Sequence, residues 1–157
     1  MKIIVNNDDI ILFFNRLNNI NFKDNYEEEF KKIFIKLKNV YNINVIGFYN
    51  VYVYVDKYYG YIIKMIKDDD ITSYYKQIDM HVVIENIDFL YKIKDIFFIK
   101  NLNKYNIYYY NNNFYLEINK KLSNKEYYTL IENSEIIYED IIDIIKNKGI
   151  KINISNL

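Results

Sequence analysis

From Asn44 onwards the chain alternates. Val45, Gly47, Tyr49, Val51, Val53 and Val55 fall on one side of an extended strand, and Ile46, Phe48, Asn50, Tyr52 and Tyr54 on the other. Both sides are largely apolar or aromatic, the pattern of a central strand with cover on both faces. Asp56-Lys57-Tyr58-Tyr59-Gly60 supplies a turn in which Gly60 takes the positive φ that a hairpin often needs, and residues 61–67 return antiparallel. Further strands are predicted over residues 2–5, 80–85 and 89–93, the last two paired around a turn at 86–88. Strands at 107–110 and 114–118 flank Asn111-Asn112-Asn113, a three-residue loop of a residue type that tolerates left-handed backbone. Ile150, Ile152 and Ile154 alternate with polar neighbours as a last edge strand. The run from Asp95 to Lys100 holds four successive apolar residues and shows no period.

Helical spacing appears toward both ends. Asn7 or Asp8 caps a helix running to Arg16 or Leu17, with Ile10, Phe13, Phe14 and Leu17 on one face. A clearer helix follows Asp24 or Asn25. Glu27, Glu28 and Glu29 sit in its first turn, where unpaired amides favour negative charge, and Tyr26, Phe30, Ile33, Phe34, Leu37 and Val40 form its core stripe. Residues 71–77 fit a short helix or a polar excursion. Ser123 and Glu126 form a capping box that opens a helix over about 125–132. A last helix over about 139–148 turns Ile141, Ile142, Ile144 and Ile145 to the core and stops at Gly149. Helices, then an antiparallel run, then helices again, without β-α-β alternation, predict one α+β domain over residues 1–157: a largely antiparallel sheet with N-terminal and C-terminal helices packed on it.

Composition changes this picture little. The 157 residues suit one domain, and 51% apolar with 27% charged residues is a globular balance. Ile (31), Asn (24), Lys (20) and Tyr (19) dominate, all encoded by A- and T-rich codons, so an AT-rich genome explains the abundance of each. Cysteine is absent, which removes disulfides, thiol nucleophiles and cysteine-based zinc sites. Charge is even: residues 1–60 carry 8 basic and 7 acidic groups, 61–118 carry 7 and 8, and 119–157 carry 6 and 6. That evenness argues against nucleic acid, whose binders need a local basic excess. Asn6 to Asp9 interrupt the start before any export segment forms, and the apolar runs are far too short for a membrane span. A soluble cytoplasmic protein is the expectation.

Little in the chain announces chemistry. His81, the only histidine, shares a strand face with Asp79, Val83 and Glu85, so a carboxylate there can orient the imidazole or join it around an ion. Asp68-Asp69-Asp70 is the densest acidic run, and oxygen-preferring cations suit it, although calcium-loop spacing is missing. Asp68, Asp70, Asp79 and His81 therefore define an alternative reading, a carboxylate-based metal-dependent enzyme. No serine lies in a nucleophile motif, the three glycines are isolated, and Arg16 is the sole arginine. Neither catalysis nor a cofactor is implied.

Aromatics remain. Tyr52, Tyr54, Tyr58, Tyr59 and Tyr61 gather at one hairpin, and Tyr108, Tyr109, Tyr110, Phe114 and Tyr115 at another. The favoured expectation is a protein-binding or adaptor-like domain that buries an aromatic sheet surface, with the first five tyrosines as the interface and another protein or a second copy as the partner. A nucleic-acid-binding module, stacking bases on the same rings, is a further alternative.

Overall fold

The computed structural model describes residues 1–16, 22, 25–69 and 78–154. Its residue contacts divide into two compact units, Met1–Val55 with Tyr59–Glu85, and Asp56–Tyr58 with Asn86–Leu157. The architecture is α+β, as expected, but it holds two five-stranded sheets where one was predicted.

In the first unit the sheet order is β1 (Lys2–Asn6), β2 (Asp9–Asn15), β4 (Gly60–Lys67), β3 (Gly47–Asp56) and β5 (Ile78–Asn86). β1 and β2 form an antiparallel hairpin through Asn7, which takes a left-handed φ of 54°. The helix predicted from Asn7 or Asp8 to Arg16 is thus a strand, and Leu17 lies outside the described residues. Five successive apolar residues satisfy a period of two as readily as one of 3.6. The choice falls to the strand because β1 and β4 supply ladder partners on both sides. Burial confirms the period: Ile10, Leu12 and Phe14 are buried while Ile11 and Phe13 are only half-buried.

The helix α1 (Tyr26–Tyr41) forms as expected, capped by Asn25, whose side-chain oxygen accepts from the Glu28 amide at 3.3 Å. Asp24 lies outside the described residues. Phe30, Ile33 and Leu37 meet Leu12, Val51, Val53 and Ile63 in the core. Val40, at 65% exposed, leaves the predicted stripe, as Tyr26 does, and the buried residues of the helix are Phe30, Ile33 and Leu37. A three-residue turn joins β3 to β4, so these strands run antiparallel and β2 lies parallel to β3 with β4 between them. Gly60 holds φ at +124°, and a Cβ there would stand 2.5 Å from the Phe14 carbonyl oxygen.

In the second unit the order is β10 (Ile150–Ile152), β7 (Tyr105–Tyr110), β8 (Asn113–Ile118), β6 (Leu90–Ile93) and β9 (Glu135–Ile137), antiparallel throughout. β6 does not pair with the strand before it, as the sequence suggested. It lies between β8 and β9, where Leu90, Tyr91 and Ile93 are buried. The predicted three-residue loop closes as a two-residue turn, Asn111 and Asn112 both left-handed at φ 46° and 58°, with Tyr110 paired to Asn113.

Two helices belong to this unit, α2 (Asn124–Glu132) and α3 (Ile141–Lys148). α3 packs on β7, with Ile142 and Ile145 among Leu90, Tyr108 and Tyr115. Ile141 and Ile144, expected in the core, stay exposed because the helix presents only a narrow stripe. Lys146 instead reaches the sheet and pairs with Glu117, which also accepts from Asn106 Nδ2 at 2.9 Å and the Tyr108 hydroxyl at 3.2 Å. Burial acts to raise the Glu117 carboxyl, and these bonds outweigh it, holding it below its ordinary range. Asp56, the one buried charged residue among those described, accepts from the Tyr58 amide at 2.7 Å and the Phe89 amide at 2.9 Å. No helix among the described residues is long and apolar enough to cross a membrane.

Candidate functional site

The run without a period, Asp95 to Lys100, carries the most exposed large apolar side chain among the described residues. Asp95 caps a single 3-10 turn, Ile96–Phe98, by accepting from the Phe97 amide at 2.9 Å, and the Ile99 amide closes the turn on the Ile96 carbonyl at 3.0 Å. A turn this tight points successive side chains in different directions, so they cannot all face inward. Ile99 is buried and anchors the segment. Phe97 and Phe98 stand out, 92% and 59% exposed.

Beyond it, Asn101 takes a left-handed φ of 56° and a second turn, Leu102–Lys104, leads into β7. The Lys104 carbonyl accepts from the Asn119 and Lys120 amides at 2.9 and 3.2 Å, which fixes that residue's backbone. Its ammonium then grips both carboxylate oxygens of Glu126, at 2.9 and 2.8 Å. Glu126 is the third residue of α2 and completes the predicted capping box: its carboxylate accepts from the Ser123 amide at 2.7 Å while its own amide donates to Ser123 Oγ at 3.3 Å. Asn101 Nδ2 donates to the same carboxylate at 2.5 Å. The Lys104 bond first, then those from Asn101 and Ser123, hold the Glu126 carboxyl down to about 2, against an ordinary 4.5.

The sign of that shift fixes a pH dependence. A carboxyl depressed in the folded state stabilises fully above its ordinary 4.5, and the contribution fades as pH falls toward about 2. Glu126→Gln should therefore lower the melting temperature at neutral pH and flatten its fall between pH 4.5 and 2. An equal slope in both chains would show that other carboxylates carry the acid transition.

Between this knot and the turn lies a hollow of about 430 Å³, lined by Phe98, Lys100, Tyr105, Lys125 and Thr129 among others. Burial, with the Glu126 charge adding to it, pushes the Tyr105 phenol up to about 12, so the ring offers a neutral hydroxyl. A second hollow of about 280 Å³ is also lined by Phe98, with Lys94, Asp95, Asn133 and Glu135. The two share Phe98 and together follow α2 from its N-cap, Ser123, to its C-cap, Asn133.

The tyrosines singled out by sequence are placed differently. Tyr52 and Tyr54 lie on the face of β3 opposite Val51 and Val53 and are half-buried. Tyr61 is half-buried too, packed on the first unit's core with its ring edge-on to Phe22 at 5.1 Å. Tyr59 is 4% exposed and belongs to the core. Tyr58, in the second unit, is half-buried with Lys57 Nζ 5.3 Å from its ring centre.

Of the alternative metal set, Asp70 lies outside the described residues. Asp68 is half-buried, its amide bonded to the Phe48 carbonyl at 2.9 Å. Asp79 is exposed, and its side chain accepts from the Met80 amide at 2.8 Å. His81 is exposed on the same strand, whose Met80 and Val82 pack inward while Ile84, expected to join them in the core, stays exposed. Among the described residues no three His, Asp or Glu side chains come together as a metal ion requires.

Sequence reading passed over Phe97 and Phe98. Their signal was Asp95, a capping residue directly ahead of an apolar run too short for a helix. Comparison with protein-family models, curated protein sequences and solved structures brings no match.

Proposed function

We propose that the chain is a protein-binding module whose contact surface is centred on Phe97 and Phe98 in the second unit. The observation that carries this is the near-complete exposure of Phe97 on a backbone pinned by Asp95 and anchored by Ile99. Burying a phenylalanine stabilises by roughly 1.5–3 kcal/mol relative to leaving it in water. A turn held in this way does not fold its ring inward to gain that energy, so a partner's surface is the remaining source. Aromatic anchors beside a hollow are also the usual centre of binding energy at interfaces.

The test is affinity capture from the cells that make the protein, with two control chains shown to be folded, Phe97→Ala/Phe98→Ala and Tyr52→Ala/Tyr54→Ala/Tyr61→Ala. A stoichiometric partner lost only with the phenylalanines is the expected result. Loss only with the tyrosines would return the interface to the first hairpin. A partner kept by both chains, or none with the native chain, would reject the reading.

A further inference from the structure

We infer that the groove along α2 takes a short acidic segment of a partner protein, with one large apolar side chain seated against Phe98. This rests on the protein-binding reading and specifies the partner's chemistry. Shape supports it first. The two hollows share Phe98 as a wall and touch α2 at its N-cap end and at its C-cap, and the nine residues between span about 13 Å. That is the reach of about four residues of extended chain.

Charge complementarity selects the occupant. The carboxylates of the groove are already engaged: Glu126 by Lys104, Asn101 and Ser123, Glu135 by Lys92 at 3.3 Å, and Asp95 by the Phe97 amide. Lys94, Lys100 and Lys125 are exposed along the rim, and no carboxylate among the described residues pairs with them. The lining thus carries five lysines against three carboxylates, a surplus of two positive charges around an apolar ridge. An acidic chain answers both features, whereas a basic one meets a net repulsion. Nucleic acid would answer the charge, but one exposed ridge and three lysines give it neither a row of stacking rings nor a long basic track.

The probe is a fluorescein-labelled hexapeptide, Glu-Asp-Phe-Glu-Leu-Asp, titrated by anisotropy against the full chain. Its lysine-for-acid counterpart and a labelled single-stranded oligothymidylate are titrated alongside. The acidic peptide should bind, weaken with added salt, and lose about tenfold in affinity with Lys94→Glu/Lys100→Glu/Lys125→Glu, which leaves Lys104 and the fold in place. The counterpart peptide should gain with that variant. Equal binding to native and charge-reversed chains, no binding of the acidic peptide, or tighter binding of the oligothymidylate would overturn the inference. The protein-binding reading fails separately. If the captured cellular partner is lost with Phe97→Ala/Phe98→Ala yet kept by the charge-reversed chain, the module stands and its acidic specificity falls.

Discussion

Gly60→Ala should destabilise the first unit by about 3 kcal/mol, lowering the melting temperature by roughly 10 °C. Two separate effects add at this residue. A φ of +124° is a conformation that L residues scarcely adopt, and the new methyl would stand 2.5 Å from the Phe14 carbonyl oxygen. That oxygen is backbone, not the mobile end of a side chain. It sits in a strand paired on both sides, to β1 and to β4, so it cannot yield without disturbing the ladder. The residue opposite Gly60 is Asn15, at the end of the β2–β4 register, so the damage should begin there and spread toward Phe14 in the core. An unchanged melting temperature would mean that the chain does not turn at Gly60 in this way.

Asp56→Ala should have a comparable effect on the second unit, again about 3 kcal/mol. Its two carboxylate oxygens divide their work, one accepting from the Tyr58 amide and the other from the Phe89 amide, in a place where the side chain is buried. Alanine removes both acceptors and leaves the Phe89 amide in low-dielectric surroundings without the oxygen it faced, where an unmade bond is expensive. Asp56→Asn keeps one acceptor and turns donors toward the other amide, so it should fall between. The denaturation midpoint measures the loss, and hydrogen exchange at the Phe89 amide localises it. Slow exchange of that amide in Asp56→Ala would show that another group holds it.

Where local signals agreed with tertiary need, the sequence was legible. Asn25 with Glu27 to Glu29, and Ser123 with Glu126, mark helix starts through short-range hydrogen bonds that depend on nothing distant. The β3–β4 hairpin is written in its alternation and in Gly60. The failure at Ile10 to Phe14 has the opposite origin. An unbroken apolar run carries no period, and only a partner strand decides between strand and helix. The choice of β8 and β9 as partners for β6 is likewise a long-range matter that no turn signal records.

The candidate site was hidden for a related reason. Tyrosine is abundant throughout the chain, so its clusters drew attention to strands where Tyr59, Tyr108 and Tyr115 are buried and the other rings half-buried. Phe97 and Phe98 are two residues in a run of four apolar ones, and hydrophobicity alone reads such a run as core. Only the cap at Asp95 and the burial of Ile99 show which two are left outside.

The second sheet ends on both sides in strands of three residues, β9 and β10, bearing Glu135 and Lys151. An open sheet edge is a template on which another chain can add a strand, and β-rich sequences usually blunt it with proline or bulges. This chain has no proline. Brevity does the same task here, because a three-residue edge offers an incoming strand few ladder bonds, too few to offset the ordering of the added segment. Tyrosine-rich strands that would stack readily into fibrils if left at a margin, β7 above all, are kept one position inside it.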